Sequence, residues 1–193
     1  MEAVSIARAA EEAGLDAFDL VGYSGGAAMS LAFVAAYPER VRSVTLAETP
    51  WIGNDLWSDL ERSFVAVFDQ AVTLPPVELV PAVFDLLSHG VELPADPSKL
   101  ERTALMLRTV WDGYRRTPLD RSQLGKFSGP AYLPVGSRSN PRFLAAAEML
   151  ASVFPKSRVE VLDGRNHFDL FWKEPTRLAE SVRTTWETTE THS

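Results

Sequence analysis

The chain has 193 residues, 46% of them hydrophobic and 23% charged, with a formal net charge of −7 and a pI near 5.0. This length suits one domain, or one domain carrying an insertion, and the composition is that of a globular protein. A net negative charge disfavours a nucleic acid partner, because a phosphate backbone attracts basic surfaces. The absence of cysteine excludes disulfides and thiolate chemistry.

No targeting, membrane or cofactor signal is present in the sequence. Glu2 stands where a secretory leader would carry basic residues, and no apolar run approaches the roughly 20 residues that span a bilayer. Metal-binding, phosphate-binding and dinucleotide-binding motifs do not occur, and the three histidines are scattered. We therefore expect a cytoplasmic protein that acts on a small molecule and needs no cofactor and no metal.

The first elements form a helix, a strand and a second helix. Apolar residues at helical spacing predict an amphipathic helix that ends near Gly14. An apolar strand follows over residues 17–21, and a helix over residues 25–36, which ends before Pro38. Between the strand and this helix stands Gly22-Tyr23-Ser24-Gly25-Gly26, where small neighbours permit a tight turn.

This pentapeptide resembles the nucleophile elbow of the α/β-hydrolase superfamily. Gly22, Ser24 and Gly26 match its G-x-S-x-G motif residue for residue. The resemblance implies that Ser24 is a nucleophile projecting from the top of the sheet, and that the backbone N–H of Gly25 lies in the oxyanion hole. It covers only the carboxyl-terminal part of the usual fold, from the helix before the elbow strand onwards.

The next strand, residues 41–46, should lie parallel to the elbow strand, because a helix connects them. Strand signals then vanish over residues 51–127, where apolar groups recur at helical spacing. We predict an α/β class: a partial α/β-hydrolase fold with a mostly parallel sheet, flanking helices and an inserted helical cap. The core comprises residues 1–50 and 128–193, and the cap residues 51–127.

Aromatic residues of the cap could line an apolar pocket over Ser24, or they could simply form the core of the cap. Tyr23, Trp51 and Trp111 are the candidate substrate contacts. The remaining aromatic candidates are Trp57, Phe64, Phe68 and Tyr114.

The sheet resumes over residues 130–136, where Pro134 suggests a strand end or a distortion. A helix over 143–154, a strand over 158–162 and a final helix over 174–188 follow. Of the three histidines, only His167 occupies a loop after a predicted strand, whereas His89 lies in the helical middle region and His192 in the polar tail. His167 is therefore the candidate base.

A Ser-His pair needs a carboxylate to orient the imidazole. Many members of the resembling superfamily carry it after the strand corresponding to residues 130–136, but that loop has no carboxylate, and Asn140-Pro141 indicates a helix start instead. We prefer Glu48, in the loop after the strand that follows the elbow; Asp163 and Asp169 are alternatives. Asp19 lies inside the elbow strand and is a poor candidate.

Together these residues predict a serine hydrolase that acts on an ester-like substrate through an acyl-enzyme. In the superfamily, early strands and a loop after the third strand supply a second oxyanion donor, and nothing before Gly22 could do so. Without such strands, residues 17–21 would form an open sheet edge. The alternative is therefore a weakly active or inactive module that associates with itself, as a homo-oligomer through this edge, or with a partner.

Overall fold

The chain folds as a parallel sheet covered by helices. The computed structural model describes residues 2–88 and 96–190, so His89 and His192 lie outside the described residues. Every pair of neighbouring strands is parallel. Spatial order follows chain order through β1 (Phe18–Tyr23), β2 (Val41–Ala47), β3 (Ala131–Gly136) and β4 (Ser157–Leu162). The predicted α/β class and parallel sheet are confirmed.

Helices connect all of these strands, as parallel pairing requires. Three of them follow β2 before the sheet resumes at β3, in the region predicted to form a cap; the boundaries of that cap stay a prediction. The helices are α1 (Glu2–Glu12), α2 (Gly25–Ala36), α3 (Asp59–Ala71), α4 (Pro76–Leu87), α5 (Pro97–Arg116), α6 (Pro141–Val153), α7 (Leu170–Lys173) and α8 (Pro175–Glu190). Short 3₁₀ helices span Pro38–Arg40 and Arg121–Lys126.

Local sequence explains where several helices begin. Ser58 caps α3, since its hydroxyl accepts a hydrogen bond from the N–H of Glu61 at 3.0 Å. Asn140 caps α6 by accepting from the N–H of Arg142 at 2.9 Å, and Pro141 follows at the first helical position. Within residues 2–88 and 96–190, no helix has the length and apolar character needed to cross a membrane.

Apolar side chains form one cluster on each face of the sheet. Leu133 of β3 belongs to a large cluster shared with α2, α6 and the helices between β2 and β3. Its neighbour Tyr132 belongs to a smaller cluster with Leu178 and Val182 of α8. Because successive side chains of a strand point to opposite faces, α8 covers the face opposite α2 and α6.

Strand β1 forms the edge of the described sheet, where it pairs with β2 alone. Its inner side chains face α2, as the ring contact of Phe18 with Phe33 shows. On the other face Val21 is 43% exposed and borders a groove of about 860 Å³ against α8.

Pro134 lies inside β3 rather than at its end. The strand continues to Gly136 and pairs with β4 along its whole length. The carbonyl of Pro134 accepts a hydrogen bond from the N–H of Glu48, which follows β2. Because the nitrogen and carbonyl of a strand residue point to the same side, the ring nitrogen of Pro134 also faces β2. The registered β2–β3 ladder ends at Tyr132, and proline supplies no N–H for a further bond towards β2 at position 134.

Candidate active site

Ser24 stands on a sharp turn between β1 and α2. Its backbone adopts φ 51° and ψ −123°, a conformation that residues with a Cβ rarely accept. Gly22 makes the turn possible, since a Cβ there would lie 2.6 Å from the carbonyl oxygen of Gly26. Gly25 begins α2, so its N–H is one of the four at a helix start that have no acceptor within the helix.

Three predicted side chains meet at the carboxyl ends of the strands. The Oγ of Ser24 lies 2.9 Å from Nε2 of His167. Nδ1 of the same ring lies 3.1 Å from Oε2 of Glu48. A chain of hydrogen bonds thus links the loops after β1, β2 and β4.

The partners of His167 determine its tautomer. An ionised carboxylate only accepts hydrogen bonds, so Nδ1 carries the proton and donates it to Glu48. Nε2 is then left with a lone pair and accepts from the hydroxyl of Ser24. This is the tautomer that a general base for Ser24 requires.

Glu48 is fully buried and held on both carboxylate oxygens. Its Oε1 accepts from the N–H of Gly136 at 2.6 Å and from the hydroxyl of Ser139 at 2.8 Å. Its backbone φ is 54°. Among the described residues, Ser24 and Glu48 are the only non-glycine residues with positive φ, so backbone strain concentrates at these two positions.

Aromatic side chains fix the ring of His167. Phe143 stacks on it, with centroids 4.8 Å apart and planes 24° apart, and Phe168 packs edge-on. Tyr23 donates its hydroxyl to the backbone carbonyl of His167. Burial raises the pKa of Tyr23, and the carboxylates of Glu48 and Asp169 raise it further, so this hydroxyl keeps its proton.

The alternative carboxylates have other partners. Asp163 accepts from the hydroxyl of Ser137 at 3.2 Å, beside the turn at Gly164. Asp169 accepts from the N–H of Asn166 at 2.8 Å. Asp19 pairs with Arg42 at 2.7 Å and with Ser43. Each of these carboxylates therefore has a structural role in its own turn or strand.

The candidate substrate contacts lie in different surroundings. Trp51 is buried and stacks on Tyr114 with centroids 5.5 Å apart, and the Tyr114 hydroxyl donates to the carbonyl of Gly25 at 3.4 Å. Trp111 stacks on Phe68 at 4.2 Å within the helices between β2 and β3. Tyr23 supports the loop of His167. Trp51 and Tyr114 thus join the region of residues 51–127 to the elbow.

Several residues of the site carry no sequence signal that marks them. The donors Gly136 and Ser139 come from the segment that lacks a carboxylate, and only the folded structure shows that they face Glu48. Tyr114 reaches Gly25 across 89 residues of chain. Among the described residues, no group of three or more histidine, aspartate and glutamate side chains could hold a metal ion.

Comparisons with known proteins identify the fold of the chain. A family model for the α/β hydrolase fold matches residues 3–118. The structure is similar to an esterase from Exiguobacterium antarcticum, with a TM-score of 0.67 and 17% identity over 96% of this chain and 72% of that one. It is also similar to a thermophilic esterase from Thermogutta terrifontis, with a TM-score of 0.66 and 19% identity over 97% and 71% of the two chains.

A naproxen esterase from Bacillus subtilis gives a TM-score of 0.60 at 16% identity, over 95% of this chain and 64% of that one. These identities are too low to carry more than the fold. A comparison with curated protein sequences gave no match. The family model covers more than half of the chain, and its match includes the elbow and Glu48. The chain therefore belongs to the α/β hydrolase fold family.

Proposed function

We propose that the protein is a serine hydrolase that cleaves ester-like substrates through an acyl-enzyme. The observation that carries this proposal is the continuous chain from Ser24 through His167 to Glu48, at 2.9 Å and 3.1 Å. A serine hydroxyl is a weak nucleophile at neutral pH, and an oriented imidazole is the base that activates it.

In the acylation step, the Oγ of Ser24 attacks the substrate carbonyl and forms a bond to its carbon. The proton of the hydroxyl passes to Nε2 of His167, and Glu48 stabilises the imidazolium that results. The tetrahedral intermediate then breaks the bond to the leaving alcohol, which takes the proton from Nε2. Ser24 is left as an ester.

Deacylation repeats these steps with water. Nε2 of His167 accepts a proton from the water, whose oxygen attacks the acyl carbon. The bond to Ser24 then breaks, the serine recovers its proton from the imidazolium, and the acid departs. The reaction consumes one ester and one water and yields one alcohol and one acid.

We assign Gly25 to the oxyanion hole. Its N–H stands at the start of α2, where helix dipoles add positive potential at the place where the substrate oxygen becomes negative. The contact of Tyr114 with the carbonyl of Gly25 supports a further proposal, that residues 51–127 form a cap over this end of the site. The stack of Trp51 on Tyr114 beside Gly25 favours a small apolar substrate.

The experiment is hydrolysis of a panel of p-nitrophenyl esters, together with labelling by a fluorophosphonate probe. The wild-type chain should hydrolyse short esters and form a covalent adduct on Ser24, located by peptide mass spectrometry. Ser24→Ala should lose both signals, whereas Ser137→Ala, a hydroxyl that bonds Asp163 instead, should keep them. Labelling that persists in Ser24→Ala would refute the assignment.

We propose a second property, self-association through β1. An antiparallel pair of β1 strands about a two-fold axis would give the backbone groups of this edge their partners and bring two apolar grooves together. The exposure of Val21, and of Trp186 at 39%, favours such a contact. Sedimentation velocity should show a dimer that Val21→Lys dissociates and Val4→Lys, on α1, does not; a wild-type monomer at high concentration would contradict it.

A further inference from the structure

A buried ion pair connects α3 to α6 beside the candidate active site. Nε of Arg142 lies 2.6 Å from Oε2 of Glu61, and the two side chains are only 1% and 2% exposed. The guanidinium also lies over the ring of Phe64, 5.0 Å from its centroid. Glu61 comes from the region between β2 and β3, whereas Arg142 comes from the helix that follows β3, so the pair joins two separate parts of the chain.

The same arginine contacts the acid loop, and its neighbour contacts the base. Nη1 of Arg142 donates to the carbonyl of Thr49 at 2.7 Å, and Thr49 directly follows Glu48. Phe143, the next residue after Arg142, stacks on the ring of His167. Movement of the first turn of α6 would therefore displace both partners of the Glu48–His167 hydrogen bond.

Residues 136–143, which we term the hub segment, also contact Glu48 and a helix between β2 and β3. Gly136 and Ser139 hold Oε1 of Glu48. Asn140 donates from its side chain to the carbonyl of Leu86, and from its backbone to that of Leu87, at the end of α4. The hub segment thus touches the acid, the base and two of the helices between β2 and β3.

Stability alone does not account for a charged pair at this place. Removing two charges from water costs free energy that their attraction often fails to recover, and apolar pairs of similar volume are frequently as stable or more so. Nη2 of Arg142 has no hydrogen-bond partner among the described residues, which adds to the cost. A need for fixed geometry explains the presence of this ion pair, because a guanidinium holds carboxylate and carbonyl partners at defined angles and apolar packing does not.

We propose that Arg142, held by Glu61, is a positioning residue: it sets the Glu48 loop and the His167 ring relative to each other. The proposal rests on the proposed function, in which His167 acts as the base and Glu48 as the carboxylate that orients it. Docking of α3 against α6 then controls catalysis, because the ion pair forms only when these helices are in contact.

The test replaces the pair by apolar residues in the double variant Glu61→Leu/Arg142→Met. The matched control is Asp55→Leu/Arg121→Met, which removes another arginine–carboxylate pair whose arginine also donates to a backbone carbonyl, that of Ile52 at 3.0 Å. The measurements are kcat and KM for p-nitrophenyl acetate, thermal unfolding, and the low-field proton resonance of His167 Nδ1–H by NMR.

We expect the double variant to unfold within a few degrees of the wild type, because an apolar pair replaces the charges without leaving one unpaired. Its kcat should fall about 10- to 100-fold with little change in KM, since misplacement by about 1 Å is enough for such a loss. The Nδ1–H resonance should shift or broaden. Arg142→Lys should lose less kcat than Arg142→Met, and the control should match the wild type in kcat and in the Nδ1–H resonance.

An unchanged kcat and an unchanged resonance in the double variant would overturn the proposal. If that variant does not fold, the nearly isosteric Glu61→Gln replaces it. Its kcat and Nδ1–H resonance should change in the same direction by a smaller amount. If neither changes, the proposal is also overturned. A wild type that neither hydrolyses esters nor reacts with fluorophosphonate would refute the proposed function, and the NMR comparison would still decide whether Arg142 positions His167.

Discussion

Two glutamates of the sheet region, Glu48 and Glu160, hold networks of opposite character. Glu48, after β2, is fully buried and accepts from a backbone N–H, a serine hydroxyl and the imidazole of His167. Glu160, in β4, retains 15% side-chain exposure and accepts from Arg158 and Arg177, at 2.6 Å and 2.7 Å, and from the hydroxyl of Tyr132.

The two glutamates differ in whether charged or neutral groups bind their carboxylates. The guanidinium groups of Arg158 and Arg177 neutralise the negative charge of Glu160. The pair with Arg177 also connects β4 to α8. Glu48 is bound by neutral donors, so its negative charge is available to an imidazolium that forms next to it. A carboxylate kept away from arginine in a buried site is thus a better candidate for catalysis than one with several ionic partners.

The largest expected effect comes from removing the charge of Glu48 while keeping its shape. Glu48→Gln should lower kcat for ester hydrolysis about 10⁴-fold, because the amide stabilises neither the required tautomer nor the imidazolium. Steady-state kinetics with p-nitrophenyl acetate measures the loss, and circular dichroism checks the fold. A loss below tenfold would mean that Glu48 is only a structural group.

A smaller loss should follow from removing one neutral donor. Ser139→Ala deletes the 2.8 Å hydrogen bond to Oε1 and leaves the N–H of Gly136 in place. We expect kcat to fall about fivefold, which corresponds to the roughly 1 kcal/mol of one hydrogen bond. Ser137→Ala, in the same loop, is the matched control, and equal kinetics of the two variants would argue against a role of Ser139 at the acid.

Removing the other carboxylate should leave the chemistry intact. Glu160→Gln loses two ionic hydrogen bonds at a partly exposed place, so we expect the free energy of unfolding to fall by about 1 kcal/mol. Urea denaturation measures this change, and kcat should stay within twofold of the wild type. A large loss of kcat would erase the distinction drawn between the two glutamates.

The weakest effect concerns pH. Burial alone would raise the pKa of Glu160, but hydrogen bonds from Tyr132, Arg158 and Arg177 together hold it below its usual value. A lowered pKa in the folded state stabilises the fold above the ordinary glutamate pKa and ceases to do so as the pH falls through the lowered value. The stability difference between wild type and Glu160→Gln should therefore be constant near pH 7 and shrink towards pH 3; a difference that grows in acid would contradict this.

Much of the fold could be predicted from local patterns. The helix after the elbow begins and ends at the predicted residues. Gly25 stands at its start, and Pro38 follows shortly after its last residue. Pro134 was harder to interpret, since its effect depends on which neighbouring strand its nitrogen faces. That orientation is a property of the assembled sheet and not of the strand alone.

Within the candidate site, Ser24 and His167 could be predicted from their loops, and Glu48 was the preferred acid with Asp163 and Asp169 as alternatives. Its distance to His167 separates it from Asp163 and Asp169, whose partners are local. The pair of Glu61 and Arg142 could not be predicted, because 81 residues separate its members and each resembles an ordinary charge on a helix. Contacts of this kind follow from tertiary packing alone.

The positive φ angles of Ser24 and Glu48 carry an evolutionary consequence. Glycine would accept both backbone conformations at lower energy, by about 1–3 kcal/mol at each position, but it has no hydroxyl or carboxylate. A library screened for heat resistance alone should therefore enrich glycine at position 24 and yield more stable variants without the nucleophile. At position 48 the buried hydrogen bonds of the glutamate oppose the same replacement.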